Sequence, residues 1–165
     1  MGLPGAGKTT VAPLAAALLH APWSDVDQRI ADGAGMPVAE IFARLGEPRF
    51  RELERAAVAE LLSEPPQVVS TGGGWAAQPG NIAAVSGRAL LIYLSLSPAD
   101  AAPRLGRGEV RPLVGDQAPL SRLTELLAAR EQWYRLADIE IAVGRVPPEA
   151  VAASVAVAAR QYGGW

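Results

Sequence analysis

Read for the spacing of its apolar positions, the chain alternates between helical and extended periodicity from end to end. Lys8 to Leu19 predicts a helix whose apolar face carries Val11, Leu14, Ala15, Leu18 and Leu19, with Pro13 inside it to kink or loosen the turn. A short extended piece over 21–24 follows. Residues 37–45 predict a short amphipathic helix ending at Gly46, and residues 46–63 a longer one with Phe50, Leu53, Ala57, Leu61 and Leu62 on its core face. Residues 67–71 and 89–95 read as buried strands, with a short helix over 78–85 between them. Helices over 98–105 and 120–136, an alternating strand over 138–143 and a closing helix over 149–161 complete the pattern, and a frayed YGGW tail is expected. Strands that alternate with helices define an α/β fold with a parallel sheet.

The segment before the first helix, GLPGAGKTT, changes this from a fold to a site. It reads G-x-x-x-x-G-K-T, the pattern of a phosphate-binding P-loop. Gly2, Gly5 and Gly7 permit a tight turn whose N–H groups, with those of Ala6 and Thr10, face phosphate oxygens. The helix that starts at Lys8 adds its N-terminal dipole. Lys8 supplies a compact charge for the β- and γ-phosphates, and Thr9 a hydroxyl for Mg²⁺. Lys8 is also the single lysine beside fourteen arginines. A P-loop normally follows a buried strand, which lies in the middle of the sheet. The pattern shows four strands and no room for a fifth before Gly2, so either the start is assigned late or the first central strand is missing.

Other candidates fall at strand ends, where open α/β sheets bind ligands. Asp25-Val26-Asp27 is expected extended, with both carboxylates on one side for a metal and a substrate hydroxyl; an acidic helix cap accounts for it equally well. Arg51 and Glu54, three apart on a helix, pair or face a site together, against the simpler reading of a solvated charged face with Glu47, Arg49, Glu52 and Arg55. Gly72-Gly73-Gly74 ends a strand and allows backbone to approach a ligand, with Trp75 facing site or core. His20, the single histidine, reads as a surface residue at a helix end. Residues 104–119, with Arg104, Arg107 and Arg111, break all periodicity and read as a lid or a disordered loop.

Composition narrows the class. A chain of 165 residues, 50% hydrophobic and 19% charged, suits one globular domain. A net charge of −2 argues against nucleic-acid binding and a polybasic membrane anchor. The absence of cysteine excludes disulfides and thiolate metal sites and suits a cytoplasmic protein. No apolar run has transmembrane length, and no signal-peptide pattern opens the chain.

In order and spacing, these motifs resemble the shikimate kinase family of P-loop kinases, over Gly2 to about Val151. The residues that carry the resemblance are GLPGAGKTT, DVD at 25–27, GEPRFRELE at 46–54, TGGG at 71–74, RGEVRPL at 107–113 and REQWYRLAD at 130–138. The resemblance implies a three-layer P-loop sandwich as a single domain over 1–165, with substrate-binding helices over about 26–63 and a lid over about 104–119. It implies transfer of the γ-phosphate of ATP, with Mg²⁺, to the 3-hydroxyl of shikimate, by a monomer. In that scheme Lys8, Asp27 and Arg111 are catalytic, and Asp27 also holds the substrate. Arg51, Gly73, Gly74 and Arg130 bind substrate, with Glu54 orienting Arg51. Gly5, Ala6, Gly7, Lys8, Thr9, Thr10, Arg104, Arg111 and Arg145 bind nucleotide, and Thr9 and Asp25 serve the metal. A related kinase of another hydroxy acid such as gluconate, or a nucleotide-binding protein without turnover, are the alternatives.

Overall fold

The structure is a computed structural model that describes residues 1–105 and 119–165; Arg107 and Arg111, with most of the expected lid, lie outside the described residues. Helix α1 (Lys8–Leu19) starts where Gly7 turns left-handed at φ 82 and ends where His20 does so at φ 53. The expected kink at Pro13 does not interrupt it: the helix runs continuously through Pro13. His20 is exposed, as its place at the helix end predicts. Strand β1 (Trp23–Asp25) runs straight into α2 (Val26–Ala34). The segment Val38–Leu61, α3, is two helices joined at Gly46, whose φ of 77 and ψ of 167 no helix accommodates. The helix boundary expected there thus falls on the residue able to adopt that conformation.

Strand β2 (Val68–Ser70) leads through Gly72–Gly74 into a 3₁₀ turn (Trp75–Ala77) and the short α4 (Asn81–Val85). Then come β3 (Ile92–Ser95), α5 (Pro98–Leu105), α6 (Pro119–Tyr134), β4 (Ile139–Ala142) and α7 (Pro148–Tyr162). The strands are shorter than their apolar runs suggest, because only the residues that find a neighbouring backbone enter a ladder. Trp75 is buried in the core rather than facing the site.

The parallel sheet is divided. β1 pairs with β2 in the register Ser24 to Val69, and β3 pairs with β4 in the register Tyr93 to Glu140. No strand joins the two pairs among the described residues. Met1 reaches into the gap from the P-loop side: its α-amine donates to Ile92 O at 2.7 Å, and Leu94 N donates to Met1 O at 2.9 Å.

Two apolar clusters flank the strands. One gathers Val26, Ile30, Ile41, Phe50, Trp75 and Tyr134 around α2, α3 and α6. The other gathers Val11, Ala15, Leu94, Leu123, Val151 and Val155 around α1 and α7. Together they fix the C-terminal ends of the strands, where the P-loop, Asp25 and the glycine turn meet. No helix among the described residues is long and apolar enough to cross a membrane.

Candidate active site

The phosphate corner is built from backbone. Gly5 has φ 84 and Gly7 φ 82, so the loop folds back on itself before α1 begins. A Cβ on Gly5 would stand 3.1 Å from Ala101 O, which seats the loop against α5. Ala6 is buried, while Thr9 and Thr10 are exposed at the mouth. Lys8 is buried and its Nζ donates to Gly2 O and Leu3 O, each at 2.9 Å, so the ammonium is held against the loop. Arg104 on α5 donates to Gly5 O at 3.2 Å and also to Gly144 O, which ties the loop to the turn after β4. Arg145, in that turn, is exposed.

Asp25 takes the helix-cap role that was one of the two readings of the D-x-D motif. Its Oδ1 caps α2, accepting from Asp27 N at 3.0 Å and Gln28 N at 3.3 Å. Its Oδ2 accepts from Thr9 Oγ1 at 3.1 Å. The expected extended D-x-D is corrected: the strand stops at Asp25, and Asp27 lies in the first turn of α2. The cap bond explains why, since it offers the backbone N–H groups of a new helix a partner that a continuing strand would lack. A hydroxyl beside a carboxylate is an all-oxygen donor pair suited to a hard divalent cation. No group of three or more His, Cys, Asp or Glu side chains able to hold a metal occurs among the described residues. Phosphate and water oxygens would therefore complete the shell.

The acceptor corner is built from buried side chains. Glu54 is fully buried and Arg51 nearly so. Arg51 Nη1 donates to Glu54 Oε2 at 2.8 Å, while its Nε and Nη2 donate to Glu47 Oε1 at 3.1 and 2.8 Å. The charged-face alternative fails for Arg51 and Glu54, which are buried, and holds for Glu47, which stays exposed while accepting from Arg51. Burial pulls the Arg51 guanidinium down, but the carboxylates of Glu54 and Glu47 outweigh it and hold the group above its usual value. Burial, with a contribution from the charge of Asp27, outweighs the pull of Arg51 and raises the Glu54 carboxyl.

The glycine turn is where the elements converge. A Cβ on Gly72 would stand 2.9 Å from Glu54 Oε1 and 3.0 Å from Asp27 Oδ1; one on Gly74 would stand 2.6 Å from Arg51 Nη2. One on Gly73 would stand 3.1 Å from Gly2 O, so the turn also touches the root of the P-loop. Tyr134 from α6 donates its hydroxyl to Gly73 O. Arg130, one turn earlier on α6, bonds the same phenol and contributes its charge to Glu54. Three buried polar atoms here have no protein hydrogen-bond partner: Glu54 Oε1, Thr71 Oγ1 and Arg130 Nη1. Thr71 and Tyr134 were not assigned roles from the sequence. Tyr134 sits four residues after Arg130, and that helical spacing was the available signal; Thr71 offered none.

A P-loop, Asp25 at a strand end with Asp27 one turn on, and two arginines beside a glycine turn, all near the C-terminal ends of parallel strands, fit a small-molecule kinase of the P-loop class. The family model described as shikimate kinase matches residues 4–159, and the chain belongs to the shikimate kinase family. A shikimate kinase of Caulobacter vibrioides is 37% identical over 161 residues, covering 98% of this chain and 80% of that protein. One from Caldanaerobacter subterraneus is 39% identical over 154 residues, covering 93% and 90%. Among solved structures, shikimate kinase from Acinetobacter baumannii in complex with shikimate superposes with a TM-score of 0.91 at 31% identity, covering 98% of this chain and 90% of that one. A gluconokinase from Sinorhizobium meliloti, 18% identical with a TM-score of 0.57, shares the fold alone.

Proposed function

We propose that this protein transfers the γ-phosphoryl group of ATP to the 3-hydroxyl of shikimate, with the acceptor held in the pocket around Gly72–Gly74 and the nucleotide on the P-loop. The observation that carries the acceptor assignment is the buried pair Arg51–Glu54 beside Arg130, whose Nη1 lacks a protein partner. A planar carboxylate suits two guanidinium groups held in fixed orientation. Glu54 fixes Arg51, and Tyr134 fixes Arg130. Asp27, across Gly72 from Glu54, is placed to orient the acceptor hydroxyl and take its proton. Gly73 and Gly74 bring backbone to the acceptor ring.

On the nucleotide side, the amides of Gly5, Ala6, Gly7, Thr9 and Thr10 bind the phosphates and Lys8 neutralises them. Thr9 and Asp25 would hold Mg²⁺, which when bound would supply positive charge to the phosphates. Arg104 and Arg145 flank the base. Arg111 and a lid over 104–119 rest on the family resemblance. We read 1–165 as one kinase domain, with substrate helices over 26–63, acting as a cytoplasmic monomer on two small molecules without nucleic acid or membrane. Catalysis is by position and charge, with no covalent intermediate.

The test is ADP release from MgATP with shikimate, with gluconate, and with neither, for the protein and for Asp27→Asn. Shikimate alone should drive release, and Asp27→Asn should lower it by about 10²–10⁴-fold while ATP binding is kept. Equal release with gluconate would overturn the acceptor assignment, and equal release by the variant would remove Asp27 from the reaction.

A further inference from the structure

Arg51 is already saturated with negative charge before any acceptor arrives. Its Nη1 donates to Glu54 Oε2 at 2.8 Å, and its Nε and Nη2 both donate to one oxygen, Glu47 Oε1. The Nε–Nη2 edge is a flat fork on which a guanidinium takes a carboxylate through two parallel bonds. Glu47 fills that fork with a single oxygen, so it uses the edge less fully than a bidentate ligand. The opposite end of the guanidinium is crowded: a Cβ on Gly74 would stand 2.6 Å from Nη2 and 3.0 Å from Nη1.

The two carboxylates on Arg51 differ in their freedom to leave. The Glu54 side chain is 0% exposed, and parting it from Arg51 strands a buried charge. The Glu47 side chain is 53% exposed, so it can exchange Arg51 for water at little cost. It also has a second resting place. Glu47 follows the break at Gly46 and opens the second half of α3, where the helix dipole favours a carboxylate. Resting on the reading that the acceptor is a carboxylic acid held by Arg51 and Arg130, we propose that Glu47 is a placeholder for the acceptor's carboxylate. It occupies the Nε–Nη2 fork of Arg51 in the empty site and yields it when the acceptor binds. The exchange keeps two carboxylates on Arg51 rather than three. Arg51 holds its orientation throughout, because Glu54 keeps the other nitrogen. A neutral ligand brings no charge to replace Glu47 and leaves the fork closed. Glu47 is thus a positioning residue that competes with the acceptor, whereas Glu54 supports it.

The experiment measures kcat and KM for shikimate, and the inhibition constant of its methyl ester, in the unaltered chain, Glu47→Gln and Glu52→Gln. Glu52 lies on the same helix with Arg49 as its partner, so its variant makes the same charge change away from the fork. Glu47→Gln should lower KM for shikimate by about two- to fivefold, with kcat and the ester's constant unchanged. Glu52→Gln should move none of the three. A KM for shikimate that is unchanged or raised in Glu47→Gln would overturn the proposal, since Glu47 would then be a spectator or a second support for Arg51. An equal gain for the ester, or an equal fall in Glu52→Gln, would overturn it as well by assigning the effect to net charge. Should Glu47→Gln fail to fold, Glu47→Asp keeps the charge but falls one methylene short of the fork, and it should lower KM in the same direction; no fall there refutes the placeholder. A lack of shikimate-dependent ADP release by the unaltered chain is a different result, which defeats the acceptor reading itself and this inference with it.

Discussion

At the acceptor corner, Arg51, Glu54, Arg130 and Tyr134 are buried or half-buried and depend on one another's charges and hydrogen bonds. At the phosphate corner a short distance away, Gly5 and Gly7 do their work through positive φ, and the polar side chains of Thr9 and Thr10 are exposed. The two corners meet at Gly73, where an added Cβ would stand 3.1 Å from Gly2 O and the carbonyl accepts from Tyr134. The difference predicts different vulnerabilities. The acceptor corner should respond to loss of a partner and to pH, and the phosphate corner to backbone conformation.

The largest effect is expected at Glu54. Replacing it by Ala leaves the buried Arg51 guanidinium with Glu47 alone, whose side chain is half exposed. Loss of one partner from a buried pair costs about 3–5 kcal/mol, which urea unfolding would read directly. Glu54→Gln separates charge from shape. The folded Glu54 carboxyl is held above its unfolded value of 4.5. Within the window from 4.5 up to that raised value, the folded chain keeps a proton that the unfolded chain has lost. The contribution of this group is therefore full below 4.5 and declines as pH rises through the window. Urea midpoints measured from pH 4.5 to 7 should show a flatter decline in Glu54→Gln. An unchanged slope would place the dependence on another group.

The same contrast explains what could be read from the sequence. The P-loop was legible because its chemistry is local: consecutive residues set the turn, and glycine at Gly5 and Gly7 is required by a φ that other residues avoid. The break at Gly46 was legible for the same reason. The acceptor corner was not legible from its residues alone, since Arg51 on α3, Arg130 on α6 and the glycine turn after β2 meet only through the fold. An Arg-Glu spacing of three looks the same on a wet helix and a buried one. It took the shared order of several motifs to connect them. The D-x-D was misplaced because a cap and a strand end compete for the same aspartate, and the capping bonds to Asp27 N and Gln28 N win. The sheet was foreseen as parallel with its central strand in question, and among the described residues the strands form two separate parallel pairs.

A smaller effect is expected at Gly7. Its nearest neighbour to an added Cβ is Val11 Cγ2 at 3.9 Å, so Gly7→Ala brings no clash. What it brings is a left-handed φ of 82 on a residue with a side chain, at about 1–2 kcal/mol. The KM for ATP should rise roughly 5–30-fold, with KM for shikimate unchanged. Gly72→Ala provides the opposite case, because its Cβ would press on Glu54 and Asp27 at an ordinary backbone conformation. If both variants raised both constants equally, the two corners would not be separable.

The smallest effect tests the seam between the corners. Tyr134 is fully buried, stacks on Tyr93 with ring centroids 5.1 Å apart, and donates to Gly73 O. Burial, against the pull of Arg130 and Arg51, holds its phenol above the usual range, so it stays a donor at any pH the enzyme meets. Tyr134→Phe keeps the ring and its stacking and removes one hydroxyl. The net loss is that of one hydrogen bond, about 0.5–1.5 kcal/mol. If the phenol aligns Arg130 and the glycine turn for a carboxylate, that loss should appear as a threefold to tenfold rise, roughly, in KM for shikimate. The KM for ATP should not move, because the P-loop touches this bond only through the back of Gly73. A fall in Tm with both KM values intact would instead make the hydroxyl a stabilising contact, and the acceptor corner would then owe its alignment to Glu54 and Glu47 alone.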